Sequence, residues 1–416
     1  MPLFDSALLV IYAIALFFTI FWLCILIENK PIRKLKEIKK YPSVSITVPA
    51  YNEEGTIEKT ITSVLNLDYP QDKLDLILVN DGSTDNTLKI MQDYARKYNF
   101  IKVINKRNAG KGAAINDGLR IAKGEFFACL DADSTVEKDT LKKMLRYFIT
   151  ESTAVVLPLM KIRDSKKIVE RIQHCEYLVN MYYKFLMSKL DCVHVSPGPF
   201  SLYRTNVLIK EGGFDENNLT EDLEVTLRLQ SKHYKIVQTM DAVVYTIGMN
   251  SIKKLYKQRN RWYKGTMLNL KRYRHLIFNR KYGDFGLIQM PSILISAIFS
   301  LILLYKTTSL LIVDPIRSLF NKLSLANYDI MDVIGYFISN FNILDLNYFN
   351  VVIMGIVLLT GIVIFKYAFK TTNEKIFKGA KSFLPLAFYF CVYFLFLGTV
   401  WAGVTLDLIL NRKQKW

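Results

Sequence analysis

The sequence predicts an α/β protein: a mixed, mainly parallel sheet domain joined to about four transmembrane α-helices. Three observations carry this expectation. Between residues 43 and 160, short apolar runs alternate with helical patterns of roughly 10–15 residues, as in βαβ units covered on both faces. Four stretches contain no Asp, Glu, Lys or Arg: Ser6–Ile27 (22 residues), Phe285–Tyr305 (21), Leu346–Phe365 (20) and Ser382–Leu406 (25). At 1.5 Å per residue each is long enough for a hydrocarbon core of about 30 Å. Finally, a chain that is 51% apolar and 22% charged, with mean hydropathy +0.17, must keep its charge and its apolar blocks apart.

Taken in chain order, residues 1–27 read as a transmembrane anchor. No basic residue precedes the run, and it exceeds the apolar core of a cleaved signal peptide. Residues 28–42 form a basic linker, with six basic and two acidic side chains from Glu28 to Tyr41. Residues 43–250 form the sheet domain. Its expected strands are Val44–Pro49, Leu74–Val79, Ile101–Ile104, Phe126–Leu130 and Ala154–Leu159. The intervening helices are expected over Glu54–Leu65, Thr84–Tyr98, Lys111–Ala122 and Lys138–Phe148, with a further one from Thr220 to about Ser231. Residues 251–283 read as a basic interfacial helix, and residues 284–416 as a membrane region of about three spans.

Basic residues near span ends set orientation. The 28–41 linker, and Lys366–Lys381 with five basic residues and one acid, predict a cytoplasmic sheet domain in a multi-pass cell-membrane protein. Four crossings leave Arg412, Lys413 and Lys415 outside, against the rule, unless a re-entrant piece lies around Val333–Leu344. The many aromatics, with 19 Gly and 11 Pro, exclude disordered and fibrous classes. Five Cys without a C-x-x-C and four scattered His indicate neither a disulfide framework nor a zinc site.

Ligands of open α/β sheets bind beyond the carboxyl ends of strands, so the loops after Val48, Val79 and Leu130 are the places to examine. They carry Tyr51-Asn-Glu53-Glu, Asn80-Asp81-Gly-Ser-Thr-Asp85 and Asp131-Ala-Asp133. Asp81 and Asp85 also suit ordinary turn and cap roles, with Ser83 or Thr84 capping the next helix. In an extended chain Asp131 and Asp133 point to one side, and their repulsion is relieved by Mg²⁺ or Mn²⁺; a solvated acidic turn is the plainer account. Lys111, flanked by Gly110 and Gly112 at a helix start, suits a phosphate. Thr220-Glu-Asp222 opens a helix and suits its positive end, or offers Asp222 as a general base. The segment Ser251–Arg280 holds ten basic residues and no acid. Within it Gln258, Arg261 and Trp262 share one helix face, where Arg261 can grip a phosphate and Trp262 a sugar ring. A basic helix beside a span can equally anchor on lipid headgroups. Attachment to a membrane and the interspersed carboxylates argue against nucleic acid as a partner.

Together, Tyr51 and Glu53, Asp81 in N-D-G-S, Asp131-x-Asp133, Thr220-Glu-Asp222 and Gln258-x-x-Arg261-Trp262 resemble family 2 glycosyltransferases. The layout is similar to their membrane-embedded, processive branch, which includes poly-N-acetylglucosamine, hyaluronan, chitin-oligosaccharide and cellulose synthases. The resemblance implies a GT-A-like, Rossmann-related fold and an inverting transfer from a nucleotide-sugar, UDP-linked, that builds a β-linked polysaccharide. Transfer of a single sugar to a lipid or polyprenyl phosphate is the alternative. It further implies donor contacts from Tyr51, Glu53, Asp81, Lys111, Asp131, Asp133 and Arg261, and a catalytic Asp222. Metal ligation would fall to Asp133 with Asp131, holding Mg²⁺ or Mn²⁺. Acceptor contacts, to a growing glycan or lipid, would come from Gln258, Trp262 and Gly198, the last in Ser196-Pro-Gly-Pro199. Phe369-Lys-Thr-Thr372 is a faint counterpart of the branch's gating loop.

Overall fold

The computed structural model describes residues 2–28, 35, 37–38, 40–325, 348–374 and 383–412. The strands are β1 (Val44–Ala50), β2 (Leu74–Asp81), β3 (Ile101–Lys106), β4 (Phe126–Cys129), β5 (Thr135–Val136), β6 (Thr153–Ile162), β7 (Ser201–Arg204) and β8 (Lys235–Thr246). They form one sheet in the order β3-β2-β1-β4-β7-β6-β8-β5. Every residue of β1 and of β6 is buried, as expected of central strands covered on both faces. The β3-β2-β1-β4 half is parallel, with Val44 opposite Leu74 on one side and Phe126 on the other. Strand β7 runs antiparallel between β4 and β6, and β5 antiparallel to β8. These additions, neither of which is among the strands expected from sequence, make the sheet mixed.

Helices α2 (Ile57–Leu65), α3 (Thr87–Lys97) and α5 (Thr140–Leu145) cover one face through Ile57, Ile61, Met91 and Met144. Helices α4 (Lys111–Ile121), α6 (Ile168–Lys189), α7 (Thr205–Lys210) and α8 (Glu221–Ser231) contribute Ile115, Leu186, Leu208 and Leu227 to the other. The latter cluster also takes in Trp22 and Ile25 from α1 (Pro2–Ile27), with the Trp22 ring 4.4 Å from that of Tyr183. Several helices are shorter than their sequence patterns suggest. Residues 54–56 and 84–86 lie in turns because their polar groups are used between loops rather than along a helix.

Helix α9 (Ile252–Arg272) leads through short turns to α10 (Met290–Thr308), followed by α11 (Asp314–Leu325), α12 (Tyr348–Thr371), α13 (Phe383–Cys391) and α14 (Tyr393–Ile409). Among the described residues, Phe285–Thr308 is long and apolar enough to cross a membrane. Leu384–Phe390 with Tyr393–Ile409 passes as a pair bent by 49°. This bent pair falls on the charge-free stretch Ser382–Leu406. Helix α14 lies against α9: Tyr263 stacks on Trp401 at 4.5 Å, and Asn260 donates to Asp407 at 3.3 Å. Lys264 donates to the Arg412 carbonyl, which keeps Arg412 beside α9. The piece around Val333–Leu344, and Lys413 and Lys415, lie outside the described residues. At the end of α12, Phe369 and Thr372 are buried while Lys370 is exposed, and Lys161 of β6 donates to the Thr372 carbonyl at 2.9 Å.

Gly265 allows α9 to approach α8, since a Cβ there would collide with the Thr220 side chain. Replacing Gly265 with Ala is expected to cost about 1–3 kcal/mol through overpacking. A lowered thermal midpoint of the full chain checks this; an unchanged midpoint would show that the two helices are free to separate.

Candidate active site

Strand β1 lies between β2 and β4, so the chain leaves it toward one neighbour and returns on the other side. Such a switch point opens a crevice at the carboxyl ends of the strands. Four loops converge there. The β1–α2 and β2–α3 loops are laced together by their own polar groups: Asn52 N–H donates to Ser83 Oγ (3.0 Å) and Thr84 N–H to Asn52 Oδ1 (2.8 Å). Glu54 N–H donates to Asp85 Oδ2 at 3.1 Å, and Asn86 N–H to Glu54 Oε2 at 3.0 Å. Asp85 also accepts from the Thr87 N–H at 3.0 Å, so it, and neither Ser83 nor Thr84, caps α3. This lacing leaves Tyr51 half exposed on the rim and turns Glu53 inward, where Thr56 donates to its carboxylate at 2.5 Å. Asp81 ends β2 and accepts from the N–H groups of Ala109 (3.0 Å) and Gly110 (2.9 Å). It thereby fixes the approach to α4, whose preceding residue Gly110 has φ +93°.

Lys111, the first residue of α4, lies at the centre of the crevice. Its Nζ is 2.6 Å from Asp131 Oδ1 and 3.6 Å from Glu221 Oε1. Burial works against its charge, but Asp131 and Glu221 outweigh that and raise its pKa well above the ordinary lysine value. Gly198 is packed on this pair; a Cβ there would lie 2.7 Å from Lys111 Nζ and 3.0 Å from Asp131 Oδ2. The acidic pair is not on an extended strand, because β4 ends at Cys129 and the Asp131 carbonyl accepts from Ser134 N–H in a tight turn. The two carboxylates are nonetheless close enough to repel. Burial, then Asp131, pushes the Asp133 carboxyl up to about 6, and burial with Asp131 and Asp85 raises Glu53.

This donor set fits Mg²⁺ or Mn²⁺. Asp131 and Asp133 are both hard oxygen ligands, and of the two only Asp131 is ion-paired to Lys111. Among the described residues no three His, Cys, Asp or Glu side chains close on one point. Mg²⁺ in particular is commonly held by one or two carboxylates with phosphate oxygens completing the shell.

Across the crevice, α8 begins at Glu221. Thr220 holds the N-cap position but makes no side-chain cap bond; its hydroxyl instead accepts from Asn269 of α9 at 3.1 Å. Asp222 Oδ1 accepts from Leu223 N–H at 2.8 Å. Thr226 Oγ donates to the Asp222 carbonyl at 2.6 Å and accepts from Ser196 N–H at 2.9 Å, which ties the Gly198 loop to the same turn. Burial raises the Asp222 pKa, opposed by Lys111, Arg261 and Lys184. Arg261 also opposes the burial-driven rise at Glu221. The structure thus brings Glu53, Lys111, Asp131, Asp133, Gly198, Asp222 and Arg261 together, while Gln258 and Trp262 extend the site along α9. Sequence reasoning missed Glu221, inside the very motif it read. It also missed Lys184 on α6, whose own pKa burial lowers to about 8. No local spacing announces Lys184; only the fold carries α6 to Asp222.

Removing the Asp85 carboxylate is expected to cost about 1 kcal/mol, as for loss of a helix cap. Urea unfolding of Asp85→Ala checks this, and a midpoint equal to wild type would mean the loop lacing adds nothing.

Residues 45–212 match the family described as glycosyl transferase family 2. The chain is 30% identical over 270 residues to a poly-β-1,6-N-acetyl-D-glucosamine synthase of Staphylococcus epidermidis, covering 64% of this chain and 63% of that protein. A synthase of the same name from Staphylococcus aureus is 30% identical over 242 residues, 58% of this chain and 57% of its own length. The chain therefore spans less than two thirds of the curated relatives it matches. A solved mannosyltransferase, PcManGT from Pyrobaculum calidifontis in complex with GDP-Man and Mn²⁺, shares the fold at TM-score 0.63, with 16% identity and 98% of each chain covered. The crevice, with its acidic strand ends, lies within and just beyond the segment that matches glycosyl transferase family 2, and the chain is similar to synthases that share that domain.

Proposed function

We propose that this protein is a membrane-integrated, inverting glycosyltransferase that moves a sugar from a UDP-linked donor onto a growing β-linked glycan. The observation that carries the reading is the facing of Asp222 and the Asp131–Asp133 turn across one crevice, with Lys111 between them. The name of the Staphylococcus relatives supports N-acetylglucosamine as the sugar. The four charge-free stretches and the basic linker support a multi-pass protein whose domain, residues 43–250, faces the cytoplasm.

In this reading Glu53, Asp81 and Tyr51 border the nucleoside, and Asp131 and Asp133 would hold a divalent cation. When bound, that cation supplies charge stabilisation for the departing diphosphate. Arg261 and Lys111 add positive charge on the same side. An acceptor hydroxyl is oriented by the α9 face and gives its proton to Asp222 as its oxygen attacks the anomeric carbon. The bond from that carbon to the diphosphate oxygen breaks, its electron pair leaves with UDP, and the configuration inverts. A raised Asp222 pKa suits this task, since a base closer to the working pH takes a proton more readily. Lys161 and the buried Thr372 end of α12 lie outside this chemistry.

Purified full-length protein in detergent with Mn²⁺ or Mg²⁺ is expected to release UDP from UDP-N-acetylglucosamine and to yield a ladder of long products. Single-sugar lipid products would assign non-processive transfer instead, and silence across UDP- and GDP-sugars would overturn the reading. Asp222→Asn is expected to bind UDP normally and to lose about 10²–10⁴-fold in transfer; normal turnover would remove Asp222 from the mechanism. The pH dependence follows from the same site. Asp222 works only when ionised, so activity falls as pH drops through its raised pKa. Lys184→Met removes a charge that holds this pKa down, and should move the acid limb to higher pH. An unmoved limb would show that Lys184 does not act on the base.

A further inference from the structure

Arg259 stands between the two outer residues of the Gln258-x-x-Arg261-Trp262 motif and has no role in the chemistry above. It is the largest fully buried side chain described, at 1% exposure. A buried guanidinium is costly unless its donors are met, and here they are. Nε and Nη2 reach the two oxygens of Glu176 on α6, at 3.2 and 2.5 Å. Nη1 donates to Gln258 Oε1 at 2.6 Å, and the guanidinium carbon lies 4.2 Å from the centre of the Trp262 ring. Glu176 is held in turn by the Tyr393 hydroxyl, which donates to Oε2 at 2.7 Å from the first turn of α14.

Two consequences follow for the side chains that read the acceptor. Arginine can only donate, so Gln258 must offer it the amide oxygen, which leaves the amide NH₂ for an oxygen of the ligand. One face of the Trp262 indole is covered by the cation, so a pyranose ring has the opposite face. We infer that Arg259 is the positioning residue of the acceptor site: it fixes Gln258 and Trp262 together, on a base built by Glu176 and Tyr393. The site is therefore incomplete without α14. This rests on the acceptor role given to the α9 face in the proposed function. It goes further in assigning a buried residue, a fixed amide orientation and a contribution from the C-terminal helical segment.

The test uses the full chain in detergent with Mn²⁺, UDP-N-acetylglucosamine and a short β-1,6-linked N-acetylglucosamine oligomer as acceptor. Arg259→Lys keeps a charge but cannot bridge Glu176 and Gln258 at once. It should raise KM for the oligomer roughly ten- to a hundredfold, the scale of an ångström-level misplacement, with affinity for UDP unchanged. Tyr393→Phe deletes one hydroxyl and should raise the same KM by a smaller factor. Should Arg259→Lys fail to fold, Tyr393→Phe and the paired Arg259→Met with Glu176→Met, which leaves no unpaired charge, carry the test. Acrylamide quenching of Trp262 fluorescence, with Trp262→Phe as blank, should rise in each variant. An oligomer KM and a Trp262 quench both equal to wild type in folded variants would overturn the assignment. If wild type itself transfers nothing, the functional reading fails, while a changed Trp262 quench still upholds the positioning by Arg259.

Discussion

The arrangement of the crevice depends on a single buried cation. Lys111 draws Asp131 from the β4 end and Glu221 from the start of α8 toward one ammonium group. Without it, the carboxylates at 53, 131, 133, 221 and 222 would face one another with little to offset their mutual repulsion and desolvation. The position of Lys111 is itself fixed by Asp81, which grips the backbone just before α4. A charge at the end of β2 thus determines where a charge on the far side of the crevice can stand. Packing then closes the arrangement, because the Gly198 loop rests directly on the Lys111–Asp131 pair.

The parallel half of the sheet was legible in the sequence because strands buried on both faces must be continuous apolar runs, and Val44–Pro49 and Leu74–Val79 are such runs. The antiparallel additions were not. Ser201–Arg204 is four residues long and half polar, and becomes a strand only because β4 and β6 already flank it. Site residues at strand ends were legible for a related reason: polar side chains after an apolar run have few structural duties. Where duties exist they misled, as with Ser83 and Thr84, expected as caps but used to tie the loop to Asn52. Glu221 and Arg259 were hidden in plain view inside motifs, since short-range spacing says which residues share a face but not which one is turned inward. Lys184 and Glu176 lie on a long helix whose pattern gives no hint of what it packs against.

The C-terminal helices are bound to the sheet domain and to α9 by polar contacts rather than by apolar packing alone. Lys161 holds the end of α12, Lys264 holds the Arg412 carbonyl, and Asn260 meets Asp407. Polar ties of this kind have direction and register, which an apolar surface lacks. They fix not only that α14 lies on α9 but which turn meets which.

The contact between Glu176 and Tyr393 spans 217 residues of sequence. At a synthesis rate of about 5–20 residues per second, roughly 10–40 s separate the appearance of the two partners. Once Arg259 follows, 83 residues after Glu176, the two can pair while the hydroxyl that braces them does not yet exist. The donor crevice, by contrast, is closed by residues no later than Arg261. A ribosome-bound chain can therefore assemble the half proposed to hold a nucleotide well before the half proposed to orient an acceptor, and the order of synthesis becomes an order of competence.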